Sequence, residues 1–171
     1  PYGKVPSIRH RDYIVYESAI INEYLDEAFP FPRLMPQQPQ DRALARIWID
    51  YANTRFNPTV YKLLREIDPV KQKELVNELT NIFRYMEKEG LRKLGDGPFW
   101  MGKNLTLVDL AFYPFFERLC NLKHYRDFDI PAECDQIQQW TNFMSLRDSV
   151  QKIRNPPEFY IERARAVASP K

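Results

Sequence analysis

The chain has 171 residues, 44% hydrophobic and 28% charged, the balance of a globular protein with room for a sizeable core. Its 25 basic and 23 acidic residues give a net charge of +2. This balance gives no reason to expect a nucleic-acid partner, because nucleic-acid surfaces concentrate basic residues. No apolar run approaches the roughly 20 residues of a transmembrane helix, so we expect no membrane partner.

Cysteines and histidines are few and isolated. Cys120, Cys134, His10 and His124 fall at no spacing typical of a metal site. We therefore expect no metal cofactor, reduced thiols as in a cytoplasmic protein, and both histidines at the surface.

The first eighteen residues have the character of β-strands. Residues 7–9 and 13–16 are short runs with β-branched and aromatic side chains. Residues 10–12 between them predict a tight hairpin turn, although the usual Gly is absent. Because two short strands are not stable alone in water and no partner strand follows, we expect further strands before residue 1.

After Ser18 the hydrophobic period becomes helical and predicts a helix that ends before Pro30. Residues 30–39 contain four prolines, which excludes regular structure and indicates a linker. The sequence therefore predicts an N-terminal unit over residues 1–30, a linker over residues 31–40 and an all-helical domain over residues 41–171.

Apolar residues at spacings of three and four continue along the helical domain. They predict four long helices, over residues 41–63, 69–95, 106–122 and 133–146, and two short ones, over residues 149–154 and 158–168. Pro58 and Pro114 should interrupt or bend their helices, since proline removes a hydrogen bond and clashes with the preceding turn. Asp68 is a suitable N-cap, with Pro69 at the first helical position.

Val5-Pro6 and Glu17-Ser18 are the first candidate functional residues. A proline between a turn and a strand is often cis, and the backbone of Val5 before it can then pair with an extended peptide. Ser18 lies where the helix begins, where a hydroxyl and free N–H groups form an anion site. Glu17 can accept a hydrogen bond from an ammonium group. Together they suit a zwitterionic amino-acid head and a peptide backbone, whereas Ser18 alone also fits an ordinary N-cap.

Thr106 and Asp109 form a second motif. Thr106 is a good N-cap, and Asp109, three residues later, can bond back to it in a capping box. Leu105 and Leu110 fit the accompanying hydrophobic staple. We interpret this motif as structural and assign Asp109 no catalytic role.

The stretches 1–6 and 16–27 closely resemble the glutathione transferase superfamily, and the capping-box motif is similar to the start of the sixth helix in that family. The resemblance covers essentially the whole chain. It implies an α+β fold: strands three and four and helix three of an incomplete thioredoxin-like domain, then an all-α glutathione transferase C-terminal domain. It also implies that Val5-Pro6 is the cis-proline pair, that Val5 binds the cysteinyl backbone of glutathione, and that Glu17 and Ser18 hold its γ-glutamyl end.

The resemblance further implies a bacterial-type, cytoplasmic detoxification enzyme, a homodimer whose ligands are glutathione as co-substrate and a hydrophobic electrophile. The Tyr, Ser or Cys that acts on the glutathione sulfur in this family is expected before residue 1. The catalytic residue is therefore unknown, and we expect the chain alone to be inactive. Arg46, Trp48, Tyr51 and Phe112 are candidates for the apolar second-substrate site, with a place in the core favoured for each.

Two non-catalytic alternatives exist on the same fold. Residues 23–36 resemble stringent starvation protein A, an RNA polymerase-associated regulator, except that Phe31 stands where that regulator has His. A docking module of a translation complex is the other. A Cys, Ser or Tyr after the family's first strand would favour the enzyme, and its absence would favour the binding proteins.

Overall fold

The computed structural model describes residue 3 and residues 5–168. Pro1, Tyr2 and Lys4 of the first motif, and residues 169–171 of the predicted helical domain, lie outside the described residues. The described chain consists of one two-stranded sheet followed by helices, the α+β arrangement that the sequence predicts. Within it, no helix combines the length and apolarity needed to cross a bilayer.

The sheet is an antiparallel hairpin of β1 (Ser7–His10) and β2 (Tyr13–Tyr16). The turn between them is one residue shorter than predicted, with Arg11 in the left-handed region at φ 54°, so His10 is the last residue of β1. His10 is half-buried, and its Nδ1 lies 2.6 Å from the Tyr24 hydroxyl. The expectation of a surface histidine is therefore wrong here, because the ring packs against the helix that follows the hairpin.

The described residues beyond the hairpin form α-helices joined by short connections. The helices are α1 (Ser18–Ala28), α2 (Pro39–Tyr51), α3 (Asn57–Arg65), α4 (Pro69–Tyr85), α5 (Arg92–Leu94), α6 (Leu107–Phe116), α7 (Cys120–Arg126), α8 (Asp135–Ser145), α9 (Asp148–Gln151) and α10 (Pro157–Ala168). Two π-helical segments, Ala52–Phe56 and Met86–Leu91, extend α2 and α4.

Pro58 interrupts its helix by widening it. It lies in the first turn of α3, and the preceding segment Ala52–Phe56 is π-helical, with the Asn57 N–H bonded to the Ala52 carbonyl. A π-turn leaves room for a ring that would clash with a regular α-turn. The chain therefore passes from α2 into α3 without an intervening loop.

Pro114 has a larger effect than the predicted bend. Helix α6 ends at Phe116, two residues after it, and the chain makes a short turn before α7 starts at Cys120. The prediction of a single helix from Thr106 to Leu122 is wrong, because the Pro114 ring cannot donate a hydrogen bond to the preceding turn. The other ends of the four predicted long helices agree with the structure within two residues.

The proline-rich segment between α1 and α2 is fixed at several points although it has no regular structure. The buried Asp26 carboxylate of α1 accepts hydrogen bonds from the backbone N–H groups of Leu34 at 2.5 Å and Met35 at 3.1 Å. The Leu107 N–H at the start of α6 donates to the Leu34 carbonyl. The segment thereby holds α1 beside the start of α6.

The hydrophobic core lies in the helical region and is rich in aromatic rings. Trp100 and Phe112 stack with centroids 4.1 Å apart, and Phe56 packs against Phe116 at 5.2 Å. Among the described residues, the core cluster starts at Met35, so the hairpin and α1 lie outside it.

Candidate functional site

The hairpin places the two predicted pairs of site residues at the same end of the sheet. The last pair of the β1–β2 ladder joins the residue after Pro6 to the residue before Glu17. Pro6 and Glu17 are the next residues beyond that pair, so they lie at the same end of the hairpin, and Ser18 begins α1. The Val5–Pro6 peptide bond is cis, and Val5 is 92% exposed. Val5 therefore lies beyond the paired residues of β1, where an extended peptide can pair with its backbone.

Glu17 occupies the N-cap position of α1 in an unusual backbone conformation. Its φ of 69° and ψ of 119° lie in a region that non-glycine residues rarely adopt. Its carbonyl nevertheless accepts the first helical hydrogen bond, from the Ile21 N–H at 2.8 Å. Such conformations persist where surrounding structure fixes them, and they are enriched at ligand sites.

Ser18 is the first residue of α1, so the N-cap position belongs to Glu17, whose side chain forms no capping hydrogen bond. Both side chains are exposed. The hydroxyl of Ser18 stands beside the free N–H groups of the first turn, which attract anions. The carboxylate of Glu17 adds a negative charge one residue away. Groups that can bind a carboxylate therefore lie next to a group that can bind an ammonium ion, as recognition of a zwitterionic amino acid requires.

The four candidates for an apolar second-substrate site lie in different environments. Trp48 and Phe112 belong to the core, as the sequence favoured. Tyr51 is half-buried, and burial raises its pKa to about 12. Arg46 is exposed and forms an ion pair with Glu23 of α1. Arg46 therefore links α1 to α2.

Thr106 and Asp109 form the capping box at the start of α6. The fully buried Asp109 carboxylate accepts from the Thr106 N–H at 2.8 Å and from its hydroxyl at 2.9 Å. It also accepts from the Trp100 N–H and from Trp140 Nε1, both at 2.8 Å. Burial raises the pKa of Asp109, and these four donors act against that rise. The carboxylate thus joins three parts of the helical region.

The sequence analysis missed a cavity of about 420 Å³ between α3, the end of α6, α7 and α10. Phe115 of α6 lines this cavity, and Leu107 of the same helix contacts the linker. The two residues are eight positions apart, which is about 12 Å along a helix. Its rim carries Arg65, Arg118 and Arg163. A signal was present in the sequence. Arg65 follows Tyr61, and Arg163 follows Phe159, at a spacing of four, which places each arginine on the same helix face as its aromatic residue.

Neither cysteine of the described chain has the chemistry of a reactive thiol. Cys134 is fully buried, and burial raises its pKa to about 11. Burial also raises the pKa of Cys120. Both are protonated at neutral pH, whereas a sulfur nucleophile needs a lowered pKa. In the described part of the chain, no group of three His, Cys, Asp or Glu residues is arranged to hold a metal ion.

Comparison with known proteins identifies the family. The family model described as glutathione S-transferase, C-terminal domain, matches residues 72–142. Glutathione S-transferase L3 of Arabidopsis thaliana is 32% identical over 163 residues, which are 95% of this chain and 65% of the relative. The probable glutathione S-transferase MSR-1 of Nicotiana plumbaginifolia is 30% identical over 93% of this chain and 71% of its own length. The chain belongs to the glutathione S-transferase family.

A solved glutathione S-transferase gives the same result for the fold. A rice enzyme, whose crystal structure is described as a complex with glutathione, superposes with a TM-score of 0.83 at 28% identity. The match covers 96% of this chain and 75% of the rice chain. Like the two plant relatives, it is longer, so this chain spans about two thirds to three quarters of these glutathione S-transferases. These matches do not confirm a bacterial type and do not favour the regulator alternative.

Proposed function

We propose that the protein to which this chain belongs binds glutathione and transfers it to, or uses it to reduce, an electrophilic small molecule. One observation carries the proposal. The open backbone of Val5 and the exposed side chains of Glu17 and Ser18 lie at one end of the hairpin, on a glutathione S-transferase fold. The names of the relatives and the glutathione complex of the rice enzyme support it.

Each part of the tripeptide finds a chemical partner in this proposal. The γ-glutamyl carboxylate accepts hydrogen bonds from the Ser18 hydroxyl and the first N–H groups of α1, where the helix dipole favours negative charge. The ammonium group lies beside the Glu17 carboxylate. The cysteinyl backbone pairs with Val5 as an added strand, next to Pro6.

The group that acts on the glutathione sulfur is proposed to lie before residue 1. Cys120 and Cys134 do not suit that role, since burial keeps both thiols protonated. A thiol-activating residue would instead combine a hydroxyl or thiolate with a helix N-terminus, which lowers a thiol pKa. The described residues would then bind and orient glutathione, without a covalent step of their own.

Activity assays of two proteins test whether binding and catalysis lie in different parts of the full-length protein. The full-length protein and the 171-residue chain are assayed with glutathione and either an activated aryl chloride or a small disulfide. We expect turnover of one of these substrates by the full-length protein and none by the chain alone. Turnover by the chain would contradict an upstream catalytic residue. A full-length protein inactive with both would shift weight to the regulator alternative.

We also propose that the protein is a cytoplasmic homodimer. Exposed apolar side chains on α1 and α2, such as Ile20 and Ile47, support a second copy as their cover. Two-fold dimers are the commonest assemblies of soluble proteins. Light scattering of the full-length protein should give twice the monomer mass, and a clean monomer mass would contradict the dimer.

A further inference from the structure

The candidate glutathione groups belong to one structural unit, the hairpin–α1 unit, which comprises residues 5–28. Val5 lies two residues before β1, and Glu17 links β2 to α1, whose first residue is Ser18. The hairpin is tied to α1 by His10, whose Nδ1 lies 2.6 Å from the Tyr24 hydroxyl. Glutathione bound to these groups would therefore move together with the whole hairpin–α1 unit.

Acidic side chains of α1 connect this unit to the rest of the chain. Glu23 forms an ion pair with Arg46 of α2, but the Arg46 side chain is 54% exposed, and exposed pairs contribute little. Asp26 is only 8% exposed and accepts hydrogen bonds from the backbone N–H groups of Leu34 at 2.5 Å and Met35 at 3.1 Å. Because hydrogen bonds to a buried carboxylate are the stronger kind, Asp26 is the main polar connection in the described part of the chain.

The linker residues that Asp26 binds are themselves fixed to the helical region. The Leu34 carbonyl accepts a hydrogen bond from the Leu107 N–H at the start of α6, at 3.1 Å. Met35 is buried in the hydrophobic core. Arg42 of α2 donates to two further carbonyls of the same linker, at 3.0 and 2.9 Å. Asp26 therefore joins the hairpin–α1 unit to a segment that is held by both α2 and α6.

Asp26 and the candidate glutathione site lie towards opposite ends of α1. Ser18 precedes Asp26 by eight residues, which is about 12 Å along a helix. A rotation of the hairpin–α1 unit by about 5° around Asp26 would therefore shift Ser18 by about 1 Å relative to the helical region. Val5 and Glu17 would shift with Ser18, so their arrangement around glutathione would stay the same. The distance from glutathione to a second substrate on the helical region would change.

We propose that Asp26 is a positioning residue, which holds glutathione at the correct distance from an electrophile bound to the helical region. The inference rests on the proposed function and adds the residue that aligns its two substrates. Reactions between two bound molecules are sensitive to alignment, and a misplacement of about 1 Å can cost about a hundredfold in rate. Because the linker covers Asp26, its carboxylate acts through the position of α1 and touches neither substrate.

Titration calorimetry with glutathione and activity assays, both on the full-length protein, test the proposal. The assays measure kcat/KM for the aryl chloride or the disulfide, whichever is turned over, at saturating glutathione. Asp26→Asn keeps the shape of the side chain but places an NH2 group against one of the two backbone N–H donors. We expect kcat/KM per bound glutathione to fall about tenfold, and the dissociation constant of glutathione to change by less than about twofold.

Two control variants and a second test variant sharpen the comparison. Glu27→Gln changes the next, exposed residue of α1 and should alter neither value. Glu87→Ala removes a buried carboxylate that binds the start of α8, so it should lower the melting temperature and leave kcat/KM per bound glutathione unchanged. Arg42→Ala removes the hydrogen bonds from α2 to the linker without changing Asp26, and it should lower kcat/KM about threefold.

The outcomes separate a positioning role from a structural one. Parallel loss of glutathione sites and activity in Asp26→Asn, or a glutathione affinity that falls as far as kcat/KM, would show a structural role and overturn the proposal. Unchanged kcat/KM in Asp26→Asn would also overturn it and leave the proposed function intact. If Asp26→Asn does not fold, unchanged kcat/KM in Arg42→Ala overturns it. An unsubstituted protein that neither binds nor turns over glutathione would contradict the proposed function, and the positioning role with it.

Discussion

The hairpin with α1 and the helical region bury their apolar side chains to different extents. In the first region Tyr13, Ile14 and Phe29 are 73%, 53% and 58% exposed, and Ile21 is a rare buried side chain. From Met35 onward, the structure contains one continuous core with several fully buried aromatic rings. Within the described residues, the first region leaves these apolar side chains exposed, whereas the second encloses its own core.

The polar residues differ between the two regions in the same way. Glu17 and Ser18 are exposed and are arranged for a ligand. Asp109, Glu87 and Arg126 are bound by several donors or acceptors from distant parts of the chain. Substitutions in the first region should therefore alter ligand binding with little change in stability, and substitutions at the buried polar groups should do the reverse.

The largest expected effect of this difference is at Asp109. Asp109→Ala leaves the N–H groups of Thr106, Trp100 and Trp140 without their acceptor in the interior. Each unsatisfied buried donor costs about 1–3 kcal/mol, so we expect a total loss of about 3–5 kcal/mol in the free energy of unfolding. Urea unfolding of the variant measures it.

The matched control is Asp50→Ala, which removes an exposed carboxylate from α2. It should change the free energy of unfolding by less than about 0.5 kcal/mol. Similar values for the Asp109 and Asp50 variants would show that the buried carboxylate does not stabilise the helical region.

Glu87 should give the next largest effect. Its buried carboxylate accepts from the N–H groups of Gln136 and Ile137 at 3.1 and 2.9 Å, and so caps the start of α8 from the end of α4. Glu87→Ala should destabilise the protein by about 2–3 kcal/mol, the cost of a lost cap together with a buried unsatisfied N–H. The neighbouring Glu89 is paired with the exposed Lys93, and Glu89→Ala should leave the melting temperature unchanged. A melting temperature that falls equally in both variants would argue against the capping role of Glu87.

A smaller effect is expected at Thr106. Thr106→Ala removes the capping side chain of α6 but keeps the backbone N–H that donates to Asp109. We expect a loss of about 1 kcal/mol, the usual value for an N-cap. A melting curve that matches the unsubstituted protein would mean that the threonine side chain adds nothing to the box.

Local sequence signals predicted the helices of the second region well, because their causes lie within a few residues. Asp68 caps α4 by accepting from the Val70 and Lys71 N–H groups, and the spacing of Thr106 and Asp109 predicted their box. The π-helical segment before Pro58 was not predicted, because a proline ring can be accommodated by a kink or break in the helix as well as by a π-helical turn.

Contacts between distant residues could not be predicted from one sequence. Glu87 binds a backbone N–H 50 positions later, and Arg126 binds a carbonyl 63 positions earlier. The cavity was missed for the same reason, because its lining comes from four separate helices, α3, α6, α7 and α10.

The candidate glutathione site has one feature that local sequence predicted and one that it did not. The hairpin follows from the short runs on either side of the turn, and it places Pro6 and Glu17 at the same end of the sheet. The positive φ of Glu17 could not be predicted, because a glutamate rarely adopts it and nothing in its sequence neighbourhood requires it.

Titration calorimetry with glutathione tests the central claim most directly, on the full-length protein and on its Ser18→Ala and Glu17→Ala variants. Each substitution should weaken binding by about 1–3 kcal/mol, because each removes a charge-assisted contact to the γ-glutamyl end, and neither should lower the melting temperature appreciably. Ser149→Ala, in the exposed α9, is the control and should bind like the unsubstituted protein. Undiminished glutathione binding in both site variants, or no binding by the unsubstituted full-length protein, would contradict the account.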